Sequence, residues 1–141
     1  HTLGVEKEAV RLGEIYAPDK IPLLRAAALL HDIGKPDSRC VGRRPDDTNM
    51  HYYGHPERSM EIVRDQIIPE LEKKGYRFSD PDVKRLLYYV EYHDDHVSRR
   101  IKHLKRHMKM VGNFISKSAP KSKEVCSLSF FLDFAIYVTS F

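Results

Sequence analysis

The sequence predicts an all-α fold, and three observations carry that prediction. Apolar residues recur at helical spacing between charged ones in several stretches, the mark of a helix with one buried face. Prolines stand at 22, 56 and 81, each just inside the start of such a stretch, where the missing N–H does no harm. Strand signals are few before the last seventeen residues.

Taken in order, residues 1–16 interleave Leu3, Val10 and Ile15 with Glu6, Lys7, Glu8, Arg11 and Glu14, an amphipathic helix with His1 at its start. Ala17-Pro18-Asp19 interrupts it. Residues 23–33 form a strongly apolar helix that delivers His31 and Asp32 at its end. Gly34 is expected to supply the left-handed residue that closes this helix, and Pro36 to prevent its continuation. Residues 39–49, with Gly42, Pro45 and several charges, read as a loop. A helix opens at Pro56 and runs to about residue 68, where Pro69 kinks or ends it, with a further turn over 70–75. Ser79-Asp80-Pro81 is a start signal for a helix that carries Val83, Leu86, Leu87, Val90 and then His93 on its apolar face. Residues 101–115 read as another helix, studded with Lys102, His103, Lys105, Arg106 and His107. The tail from Val125 mixes Phe, Tyr, Val and Thr and fits a last helix or a strand.

A chain of 141 residues suits one domain with its own core, and 41% hydrophobic with 31% charged residues describes a globular chain rather than a disordered one. The net charge of +4 suits a phosphate-bearing ligand or RNA and equally a solvated basic face. Cys40 and Cys126 lack the paired spacing of a zinc ribbon and read as free thiols of a reducing compartment, hence a cytoplasmic protein. Residues 125–141 are too short and, with Asp133 and several hydroxyls, too polar for a membrane span. The chain opens on His1 rather than Met, so it is expected to be a fragment or processed product, with an upstream domain as one reading.

The chemistry is expected in residues 26–36, where an apolar helix presents an imidazole and a carboxylate side by side. Neither suits that setting without a partner, and a metal ion is one such partner. A single His-Asp dipeptide means little, and each histidine alone reads as a hydrogen-bonded core residue. Four segments, however, present one at a helix end or on an apolar face: His1, His31 with Asp32, His55, and His93 with Asp94. Imidazoles and a bridging carboxylate suit divalent ions such as Fe, Mn, Zn, Co or Ni, and two such ions would activate a water and clamp a phosphate.

His1 followed by Ala27-Ala28-Leu29-Leu30-His31-Asp32-Ile33-Gly34-Lys35 resembles the HD superfamily of metal-dependent phosphohydrolases. Within it, His51-Tyr52-Tyr53-Gly54-His55-Pro56-Glu57 and Tyr92-His93-Asp94-Asp95 resemble the HD domains attached to bacterial CCA-adding tRNA nucleotidyltransferases and their stand-alone relatives. The resemblance covers about residues 1–112. It implies a bundle of about five to seven helices around a site for one or two divalent ions, Fe, Mn, Ni, Co, Zn or Mg. It also implies hydrolysis of a phosphomonoester or phosphodiester of a nucleotide or RNA end. Position by position, His1, His31 and Asp32 match the first ligands, with Asp32 as the bridge. His55 and His93 match those that complete a second site. Lys35 follows the pair as in many relatives and would meet a substrate phosphate; the helix dipole favours a lysine there in any case. The family ends on an Asp ligand in a charged helix, and here Asp133 is the candidate. Its apolar surroundings favour a metal role, whereas its neighbours depart from the family pattern, as residues 118–141 do generally.

Other candidates have two readings each. His51 fits contact with substrate or metal and fits plain loop exposure. Asp94 and Asp95 would orient His93 or assist proton transfer, or simply solvate a helix end. Arg43 and Arg44 fit phosphate contacts as well as ordinary loop charges. His96 and the basic residues 99–109 fit an RNA track or a solvated face. The tyrosines at 52, 53, 88, 89 and 92 read as core or rim packing, with base stacking open to one of them. The competing function is a non-catalytic RNA- or nucleotide-binding accessory domain of a tRNA-processing enzyme, with tRNA as its partner.

Overall fold

Helix α1, Thr2–Tyr16, buries Val5, Ala9 and Leu12, a stripe at i, i+4 and i+7. Leu3 and Ile15, expected on the apolar face, are exposed instead, because their spacing places them off that stripe. The computed structural model describes residues 1–95 and residue 106. After a single 3-10 turn at Pro18–Lys20, helix α2, Ile21–Leu30, runs back against α1 with Leu24, Ala27 and Ala28 buried. Ala9, Ala27 and Ala28 are almost wholly buried, and their lack of bulk lets the two helices approach closely.

Residues 31–38 continue as tight turns, with Ile33 N–H bonded to Leu30 O, Lys35 N–H to Asp32 O and Ser38 N–H to Gly34 O. Gly34 does not adopt the left-handed conformation expected of it; among the described residues the glycines with positive φ are Gly54 and Gly75. It is small for another reason. A Cβ at Gly34 would lie 2.5 Å from Ser59 N and 2.9 Å from both Arg58 C and His55 O, all backbone atoms of the next helix. Its own N–H donates to the buried Ser59 Oγ at 2.9 Å, and Arg58 forks onto Asp37 Oδ2 at 2.9 and 2.7 Å nearby.

The stretch read as a loop contains a short antiparallel hairpin, β1 Cys40–Val41 with β2 Met50–His51, pairing Cys40 with His51 and Val41 with Met50. Two-residue strands have too few positions for alternation to show in sequence. Helix α3, His55–Ile62, follows from Gly54 and Pro56. It passes through a π-helical turn at Val63–Ile67 into α4, Ile68–Lys73. Of the two effects expected of Pro69, an end is not seen: the helix continues through it. Widening the preceding turn, with Ile68 N–H reaching back to Val63 O, accommodates the ring and the missing donor.

Helix α5, Asp80–Glu91, starts where the sequence indicates. Ser79 Oγ accepts from Asp82 N–H at 3.3 Å and donates to Asp82 Oδ2 at 2.7 Å. Replacing Ser79 with alanine is expected to destabilise the protein by about 1 kcal/mol, read as a lower urea midpoint at unchanged slope. Leu86, Tyr88, Tyr89 and Val90 of α5 close one core with Val5, Ala9, Leu12, Leu24, Ala27, Ala28, Val63 and Ile68. The expectation of an all-α helical bundle holds, with one two-stranded hairpin added. Apart from Arg106, the helix expected over residues 101–115 lies outside the described residues, as do the tail from Val125, Cys126, His96 and Asp133. Among the described residues no helix is long and apolar enough to cross a membrane.

Candidate metal centre

Four segments carry five polar side chains to one end of this core. His1 stands just before α1, one turn from Val5 and in line with the buried stripe, and is itself exposed. His31 follows α2 with helical backbone (φ −55°, ψ −36°) and so continues the face of Ala27 and Ala28. His55 opens α3 and His93 follows α5, one turn beyond Tyr89 and Val90. His31, His55 and His93 are buried to 8% exposure or less, and Asp32 retains 14% of its side-chain surface.

The three buried imidazoles are held by one repeated device. Each Nδ1 meets the backbone carbonyl three residues before it: His31 to Ala28 at 2.7 Å, His55 to Tyr52 at 2.9 Å, His93 to Val90 at 2.7 Å. A carbonyl can only accept, so Nδ1 carries a proton, and in the neutral ring Nε2 presents a lone pair. Those Nε2 atoms converge on Asp32. His31 Nε2 lies 3.2 Å from Oδ2, while His55 and His93 Nε2 lie 3.3 and 3.5 Å from Oδ1. His55 and His93 Nε2 are 3.2 Å apart.

With all three rings neutral, acceptor atoms face one another. His31 Nε2 and Asp32 Oδ1 are buried and make no hydrogen bond. Such a cluster is costly unless a cation enters it. Protonating the rings is disfavoured at His55, where burial, helped by His93, holds the imidazole below its ordinary value against the Tyr52 carbonyl and Asp32. Burial alone would raise the Asp32 carboxyl, but His31, His93 and Lys35 outweigh it and hold the group well below the usual carboxylate range. The donors thus fit a divalent ion. One atom each from His1, His31 and Asp32 lie within 4.8 Å of one another, and so do those of Asp32, His55 and His93. Two N,N,O sets that share a carboxylate suit borderline divalent metals.

Of the other expected site residues, Lys35 contacts this cluster directly and the rest make contacts of their own. Lys35 Nζ binds Asp32 Oδ2 at 2.7 Å and sits 5.9 Å over the Tyr52 ring. His51 pairs through Nε2 with Asp47 Oδ2 at 2.8 Å and stacks on Tyr53. Asp47 is held below the usual carboxylate range by the Asn49 N–H and by His51. Arg43 lies over the Tyr53 ring, and Arg44 is exposed in the hairpin loop. Asp94 is exposed, and the orienting role expected of it at His93 falls to the Val90 carbonyl. Sequence reasoning also missed Ser59, whose place one turn after His55 on α3 was its signal, and Asp47. The three carbonyls have no sequence signal.

A helical scaffold whose helix ends direct histidines onto one aspartate defines a class of divalent-metal proteins. Comparison with family models matches residues 1–129 to the HD domain, and the chain belongs to that family, part of a superfamily of metal-dependent phosphohydrolases. It is similar to an A-adding tRNA nucleotidyltransferase of Deinococcus radiodurans, 37% identical over an alignment of 97 residues that covers 64% of this chain and 20% of that protein. The chain thus spans about a fifth of the length of this curated relative. No solved structure gives a significant match.

Proposed function

We propose that the chain is a metal-dependent phosphohydrolase that cleaves a phosphomonoester or phosphodiester of a nucleotide or RNA end. The observation that carries this reading is the convergence of imidazole lone pairs on the Asp32 carboxylate. In it, His1, His31 and Asp32 hold one divalent ion, and Asp32, His55 and His93 hold a second. Asp133 remains the sequence's candidate for a further ligand. Ions bound there would acidify a water and neutralise phosphate charge. The backbone-anchored Nδ1 atoms keep the rings in place, so the site needs little rearrangement when it is filled. Lys35, beside Asp32, would take a phosphate oxygen and stabilise the charge that develops there.

Purified protein given Mn, Ni or Co should release phosphate from p-nitrophenyl phosphate or open a 2′,3′-cyclic nucleotide, and a chelator should stop it. Absent or chelator-resistant turnover would overturn the reading. Lys35→Ala is expected to lower kcat about 10²- to 10³-fold while the metal content stays unchanged.

Similarity to a tRNA nucleotidyltransferase favours a second reading, an accessory domain that holds RNA without catalysis. Strongly salt-dependent RNA binding that chelators leave unaffected would select it.

A further inference from the structure

The hairpin beside the metal centre carries planar groups that the metal chemistry does not use. His51 and Tyr53 stack with ring centroids 5.0 Å apart and planes within 3° of parallel. The Arg43 guanidinium lies 4.5 Å over the same Tyr53 ring. Tyr53 is nevertheless 45% exposed. The His51–Asp47 pair at 2.8 Å fixes one side of this stack, so its orientation does not depend on a flexible side chain alone.

The hairpin is tied directly to the metal centre. The Tyr52 carbonyl receives the His55 Nδ1–H at 2.9 Å, and the Tyr52 ring sits under the Lys35 ammonium that contacts Asp32. The residue that meets Lys35 is thus next in the chain to the residue at the centre of the stack. We infer that Tyr53, with Arg43 as a movable cover, is the stacking face for the nucleobase of the substrate. The site then takes a nucleoside phosphate rather than a simple sugar phosphate. The inference rests on the phosphohydrolase reading of the adjoining centre. Arg43 is exposed and long enough to lift, and a base between a tyrosine ring and a guanidinium gains stacking on both faces.

The test compares AMP with ribose 5-phosphate, which differ by the base. Binding of each is measured by calorimetry in chelator, and turnover of each separately with Mn²⁺. Wild type is expected to bind AMP on the order of ten-fold more tightly. Tyr53→Ala should abolish that preference and leave ribose 5-phosphate unaffected, whereas Tyr53→Phe should retain it. Equal affinities in the wild type, or a preference unchanged in Tyr53→Ala, would overturn the inference. A preference for AMP without turnover of either compound supports the stacking face and retires the phosphohydrolase reading. Turnover of both without preference does the reverse.

Discussion

Asp32→Ala is expected to abolish metal-dependent stabilisation and turnover together. Asp32 is the residue common to both candidate groups, with Oδ2 toward His31 and Oδ1 toward His55 and His93, so its loss dismantles two sites at once. Metal affinity should fall by more than about 100-fold, since removing even an outer partner of a ligand costs up to that much. The readout is thermal unfolding with and without Mn or Ni. At a metal concentration a hundred times its Kd, the wild type gains about 2.7 kcal/mol, and the variant should gain nothing. Stabilisation by metal that survives the substitution would mean that the ion binds elsewhere.

Gly34→Ala is expected to be the most damaging single methyl in the described part of the chain. The three atoms nearest the added Cβ are all backbone, the closest at 2.5 Å, so no side chain swinging aside would relieve these contacts. Overpacking of this kind costs about 1–3 kcal/mol and sometimes more, and this contact belongs at the upper end. The displaced backbone includes the His55 carbonyl, so the helix that carries one proposed ligand must shift. A lower urea midpoint should accompany weaker metal binding, and a variant as stable as the wild type would show that α3 lies farther from Gly34.

The contrast between these two positions shows what the sequence could convey. The His31-Asp32 pair was legible because polar residues in an apolar helix violate local pattern, and His93 on the apolar face of α5 was legible for the same reason. The α5 start at Ser79 was legible because a cap is a local interaction. Gly34 was legible as important but not for its cause, since the backbone of α3 that crowds it lies twenty-five residues away. The stripe of α1 was misjudged because Leu3 and Ile15 are apolar by type, and burial follows the i, i+4, i+7 line through Val5, Ala9 and Leu12. The hairpin was hidden by the brevity of its strands. The carbonyls of Ala28, Tyr52 and Val90, which aim the imidazoles, carry no residue identity at all.

The central claim is that imidazoles distant along the chain share one aspartate to hold metal. Elemental analysis of protein saturated with Mn or Ni and freed of excess ion tests it most directly. The account predicts two ions per chain for the wild type and one for His93→Ala. A wild-type chain that retains no stoichiometric metal, or a His93→Ala variant that retains as much as the wild type, would contradict it.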